Sequence, residues 1–122
     1  EYDWLSADEE NVDEYIADPM CGHDATVGLF HEMLWGIRFN QRPANLHRMD
    51  MTTPVLLISG QDDPVGGMGA GVRRTYQEFR RAGVADCTLK LYPGLRHELL
   101  NEKEHRAAVY QDIWNWMEAK LK

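Results

Sequence analysis

Two apolar runs of strand length constrain this chain more than anything else in it. They are Pro54-Val55-Leu56-Leu57-Ile58-Ser59 and Thr88-Leu89-Lys90-Leu91-Tyr92, each followed by Gly- and Pro-containing turns. Val55 to Ile58 is apolar without alternation, the pattern of a strand covered on both faces. Between the runs, Gly69 to Ala82 repeats Val72, Tyr76 and Phe79 at helical steps, and Gly83 stands where such a helix would terminate. A last helix, from about Lys103 to Lys120, would turn Tyr110, Ile113, Trp114, Met117 and Leu121 inward. Residues 51–122 thus have the strand–helix–strand–helix rhythm of an α/β fold with a parallel sheet. Two parallel strands alone keep unpaired edges and too few neighbours. The pattern implies further strands, supplied by another segment of a parent protein, a second chain or a homo-oligomer.

Residues 1–50 read differently, as helical and irregular. Ser6 precedes Glu9 by three residues, a capping-box spacing, and a short helix through Val12, Tyr15 and Ile16 would end at Asp18-Pro19. A second helix is expected from about Asp24 to Phe39, with Val27, Phe30, Leu34 and Ile37 on one face. Met33 and Trp35 fall off that stripe, so the segment shows apolar surface on more than one side. Arg42 to Leu46 reads as a connection.

The chain has 122 residues, 43% of them hydrophobic and 10% aromatic, which fits one folded domain and excludes wholesale disorder. Its net charge of −7 argues against nucleic-acid phosphate as a partner. Asp8-Glu9-Glu10 and their acidic neighbours read as a solvated helix start. No apolar stretch approaches a membrane span, so stable membrane insertion is not expected, and no signal-peptide pattern stands at the front. Two cysteines, Cys21 and Cys87, are too few for a disulfide scaffold; they point to a reducing, cytoplasmic setting, with Cys87 a buried thiol at the head of a strand. The first residue is Glu1 rather than Met, as expected of a piece of a longer polypeptide.

The chemistry-bearing residues sit where the strands end. The first run leads into Gly60-Gln61-Asp62-Asp63-Pro64 and the second into Pro93-Gly94-Leu95-Arg96-His97. Loops after the carboxyl ends of parallel strands are where α/β proteins carry reactive groups. A histidine base needs a carboxylate to fix its tautomer and stabilise the imidazolium, so an acid and a histidine at successive strand ends make two parts of a nucleophile–base–acid triad. Asp62 competes with Asp63 for the acid, and spacing alone does not separate them. The nucleophile has no candidate: the serines are Ser6 and Ser59, and neither lies in a G-x-S-x-G turn. Glu98 is either a partner of His97 or a solvated first-turn residue. His31, His47 and His105 read as surface residues. Cys21-Gly22-His23-Asp24 lacks a second ligand pair, so no metal is expected there. The run Gly66-Gly67-Met68-Gly69-Ala70-Gly71 lacks the Lys-Ser/Thr ending of a phosphate loop and reads as a flexible loop beside the site.

P-V-L-L-I-S-G-Q-D-D-P-V-G, then L-K-L-Y-P-G-L-R-H-E-L-L-N-E and a Trp-containing last helix, resembles the end of an α/β-hydrolase. Within that superfamily the chain is similar to the lysophospholipase and monoacylglycerol-lipase-like group, also called serine aminopeptidase S33. W-L-S-A-D-E-E-N-V-D-E-Y-I-A-D-P-M-C-G resembles the cap region of bacterial members. The resemblance implies the last two parallel strands with flanking helices (51–122) and a helical cap segment (1–50). It implies that Asp63, three residues after the strand-end glycine, is the catalytic acid and His97 the catalytic base, acting without metal or cofactor on a small acyl ester. Phe30, Met33, Leu34 and Trp35 would line the acyl pocket from the cap, or pack cap against core. The family's nucleophile and oxyanion loop lie in an N-terminal half, so this chain is expected to be inactive alone and competent when joined to that half. A self-associating, non-catalytic module and a peptide-cleaving member of the group are the alternatives.

Overall fold

Val55 and Cys87 open the two strands of a parallel pair. The computed structural model describes residues 2–121. In chain order the elements are α1 (Glu9–Ala17), α2 (Val27–Asn40), α3 (Pro43–Leu46), β1 (Val55–Gly60), α4 (Ala70–Ala82), β2 (Cys87–Tyr92) and α5 (Arg106–Lys120). β1 pairs with β2 in register from Val55 opposite Cys87 to Gly60 opposite Tyr92, and these two strands form the sheet among the described residues. Because the register is even, both strands end at the same level, and their exit loops lie side by side.

α4 makes the crossover and packs on both strands. Val72, Tyr76 and Phe79 are half-buried there, as the helical spacing predicts. Gly83 closes the helix at φ 112°, a left-handed conformation that residues with a Cβ adopt reluctantly.

The buried core lies beneath the His97 loop. Leu95, Leu99 and Val109 form it, with Ile58, Tyr92 and Ile113 packed against them. Full burial of one such aliphatic side chain contributes about 1.5–3 kcal/mol. On the neighbouring flank, Tyr92 donates its hydroxyl proton to Asp112 Oδ2 (3.0 Å), and Lys90 pairs with the same carboxylate. Burial, reinforced by the bond to Asp112, pushes the Tyr92 phenol up to about 12. Hydrogen bonds from Lys90 and then Tyr92 hold the Asp112 carboxyl below its usual range.

Four expectations need correction. α5 begins at Arg106 rather than Lys103, and its inward side carries Val109, Ile113 and Trp116. Tyr110, Trp114, Met117 and Leu121 are exposed. Both sets recur at three- and four-residue steps, so periodicity alone could not choose between them. The Trp116 indole N–H donating to Thr88 Oγ1 (3.1 Å) fixes the rotation. The cap of α1 is Asp8, whose Oδ1 accepts from Glu10 N–H (3.1 Å), while Ser6 is buried and accepts from Asp8 N–H (3.0 Å). Arg42 to Leu46 contains a single helical turn, α3, with Pro43 at its start. Cys87 heads β2 as expected but is half-buried, and burial raises its thiol above the ordinary value.

α2 starts at Val27, capped by Thr26 Oγ1 accepting from Leu29 N–H (3.1 Å), and none of its residues is buried. It packs on α3, which in turn meets α4. Among the described residues no helix is long and apolar enough to cross a membrane.

Candidate active site

Gly60 lets the two exit loops meet. A Cβ at this position would overlap the carbonyl oxygens of both Leu95 and Arg96, so the second loop crosses the end of β1 with only a hydrogen between them. Asp62 N–H donates to Leu95 O (3.0 Å) and Gln61 N–H to Tyr92 O (2.8 Å), which laces the loops together. The next residue on one loop is then Asp63, and two further on the other is His97.

These two are brought into contact. His97 Nδ1 lies 3.1 Å from Asp63 Oδ2. A carboxylate oxygen only accepts, so Nδ1 carries the proton and Nε2 keeps the free lone pair. The Asp63 side chain is 8% exposed and that of His97 is 40% exposed, which leaves a sheltered acid behind an accessible imidazole. The other Asp63 oxygen, Oδ1, accepts from Val65 N–H (2.8 Å), and Asp63 O accepts from Met68 N–H (2.8 Å). The glycine-rich loop is therefore an ordered wrap around Asp63, turned by left-handed residues at Gly67, Met68 and Gly69. Asp62, the competing acid, is exposed. An imidazole held in this way can take a proton at Nε2 while the carboxylate stabilises the resulting cation.

The other named residues lie elsewhere. Phe30, Met33, Leu34 and Trp35 are exposed on α2, where Trp35 stacks on Phe39 at 5.3 Å between ring centroids. A surface recess of about 860 Å³ opens between the α2–α3 corner and α4, lined among others by Phe39, Leu46, Met49 and Phe79. Neither Asp63 nor His97 borders it. Ser59 is buried and donates to Gly60 O (3.1 Å). Glu98 turns from His97 and accepts from the side-chain amides of Asn11 (2.9 Å) and Asn101 (3.0 Å). His31, His47 and His105 are exposed, as expected.

The sequence reading overlooked Trp4, Arg96 and Glu102. The Trp4 ring lies 5.3 Å from that of His97, Arg96 donates to Ser6 O (3.2 Å), and Glu102 Oε1 accepts from Ala7 N–H (2.8 Å). These pairs stand some ninety residues apart in the chain, beyond the reach of any local spacing rule.

Comparison with known proteins identifies the family and the fold. The family model described as serine aminopeptidase, S33, matches residues 1–104. The chain belongs to this family. It is 36% identical over 124 residues to a monoacylglycerol lipase of Mycolicibacterium smegmatis, a match covering 98% of this chain and 40% of that protein. Its fold superimposes on a thermostable carboxyl esterase from Bacillus coagulans, solved in complex with glycerol, with a TM-score of 0.86 at 24% identity. That match covers 96% of this chain and 38% of the esterase. A monoacylglycerol lipase from Paleococcus ferrophilus matches with a TM-score of 0.76 at 23% identity, over 95% of this chain and 42% of the lipase. The S33 chain described here therefore spans about two-fifths of the length of the relatives it matches. Its two parallel strands and flanking helices are the C-terminal part of an α/β-hydrolase fold.

Proposed function

We propose that this S33 chain supplies the acid, Asp63, and the base, His97, of a Ser–His–Asp hydrolase of small acyl esters. The contact of His97 Nδ1 with Asp63 Oδ2 at paired strand ends carries this reading. Identity of 36% with a monoacylglycerol lipase favours a glyceryl or lysophospholipid ester over a peptide. The nucleophilic serine and the oxyanion donors belong to a part of the protein outside these residues. In the reaction that serine attacks the ester carbonyl as His97 Nε2 takes its proton, and Asp63 holds the imidazole and balances its charge. His97 then returns the proton to the leaving alcohol. Residues 1–50 form a cap, and Phe30, Met33, Leu34 and Trp35 on α2 line the acyl pocket. Their exposed apolar surface supports this reading, because acyl chains bind on such surface. The two free cysteines suit a cytoplasmic enzyme.

Turnover of a short-chain monoacylglycerol by the full-length protein tests the proposal, with a lysophospholipid and an aminoacyl anilide as competitors. His97→Ala should reduce kcat on the order of a thousandfold or more, and residues 1–122 alone should show no turnover. Near-full turnover by His97→Ala would remove the histidine from the mechanism. Preference for the anilide would make the protein a peptidase.

A further inference from the structure

The Trp4 indole stands against the His97 imidazole, with ring centroids 5.3 Å apart and planes tilted by 56°. The segment that carries Trp4 is fastened to both sequence neighbours of His97. Glu98 N–H donates to Leu5 O at 2.8 Å. The Arg96 guanidinium donates to the carbonyls of Asp3 and Ser6, the latter at 3.2 Å. Farther along, Ala7 N–H donates to Glu102 Oε1 (2.8 Å) and Lys103 N–H to Asp8 Oδ2 (3.2 Å). Leu5, Ser6 and Glu102 are all buried, so the middle of the joint is sheltered from competing water while the Asp3 and Lys103 ends are exposed. Hydrogen bonds thus tie residues 3–8 to residues 96–103, and the two rings stand on the tied segments.

We propose that Trp4 is a positioning residue for His97, a wall that holds the imidazole plane so that Nδ1 stays on Asp63 and Nε2 faces the nucleophile. The proposal rests on the reading of His97 as the general base. A single hydrogen bond fixes one corner of an imidazole and leaves the ring free to swing about it. His97 needs a second restraint because its side chain is 40% exposed. A tilted indole at this separation supplies one, through quadrupole attraction between ring edge and ring face. It is also within the range at which an aromatic ring attracts a cation, so the contact strengthens as the imidazolium forms. An aliphatic side chain of similar bulk provides neither attraction.

Three substitutions in the full-length protein test this, read by ester hydrolysis beside His97→Ala. Trp4→Leu and Trp4→Ala should lower kcat roughly tenfold, as expected of a base displaced by a fraction of an ångström. KM should stay within about twofold, since a positioning residue does not touch substrate. Trp4→Phe should keep kcat within about threefold of the parent, because the aromatic wall survives. A purely structural role would make Leu equivalent to Phe, and that result overturns the proposal. So does a rise in KM at constant kcat, which would make Trp4 a substrate contact. If Trp4→Ala fails to fold, the Leu and Phe variants still decide. Retained turnover in His97→Ala would overturn the base assignment itself, a failure distinct from the loss of the Trp4 effect alone.

Discussion

Gly60 lies directly under the carbonyl of Arg96, with no room for a methyl group between them. This approach stacks one exit loop on the other and carries His97 to Asp63. In Gly60→Ala the obstacle is backbone on both sides, which cannot swing away as a flexible side chain would. The variant should lose about 1–3 kcal/mol of stability and, in the full-length protein, most of its turnover. Gly36 is the control: it lies inside α2 with open space where a Cβ would stand. Gly36→Ala should gain about 0.5–1 kcal/mol from the better helix former. Denaturant unfolding of the two variants decides; a Gly60→Ala protein as stable as its parent would show that the loops do not depend on this contact.

Asp62 and Asp63 are neighbours with opposite surroundings, which makes them a matched pair for testing the acid. Asp63 is buried and bonded to His97 and to Val65 N–H, whereas Asp62 is exposed. Asparagine at 63 can present an amide N–H to Nδ1 and so favour the wrong tautomer, with a loss on the order of 10⁴ in kcat. Asp62→Asn should stay within about threefold of the parent, as surface changes usually do. Equal losses at the two positions would point to general loop damage rather than to a specific acid.

Glu102 is 2% exposed and accepts from Ala7 N–H at 2.8 Å. Its removal takes the acceptor from the Ala7 amide and opens a void at the joint between the first residues and the His97 loop. Glu102→Ala should cost about 1–3 kcal/mol. Glu102→Gln keeps a side-chain carbonyl oxygen in nearly the same place and should cost clearly less. Thermal unfolding of the two variants measures the difference; equal losses would mean that charge, rather than the bond to Ala7, is what this site requires.

The legible parts of this molecule were those governed by local rules. Apolar runs of strand length marked both strands, Gly83 marked a helix end, and the strand-end positions of Asp63 and His97 pointed to their meeting. Only the structure, through the bond to His97, separates Asp63 from Asp62 on physical grounds. The rotation of α5 was illegible for a different reason. Val109-Ile113-Trp116 and Tyr110-Trp114-Met117 are both apolar stripes on one helix, and the choice depends on which strand the helix meets. Trp4 was invisible as a neighbour of His97 because their contact closes a loop spanning about three-quarters of the chain. Long-range closure of this kind leaves no trace in periodicity or propensity.

Tyr92 makes stability sensitive to alkali. Its phenol titrates near 10.0 when unperturbed and is pushed up to about 12 in the folded protein, first by burial and then by its bond to Asp112. Between these values the unfolded chain has released the proton and the folded chain still holds it. The folded state binds more protons, so stability falls as pH rises through this window. Asp112 acts at the other end. Its carboxyl is held down by Lys90 and then by Tyr92, so that contribution is present above 3.8 and is lost as pH drops through the lower folded value. Tyr92→Phe removes the titrating hydroxyl and one of the bonds to Asp112. It should flatten the alkaline decline and shrink the acid one, at the cost of a lower plateau near neutrality. Urea midpoints across the pH range, parent against Tyr92→Phe, test this directly; parallel curves above pH about 10 would show that Tyr92 keeps its ordinary titration in the folded protein.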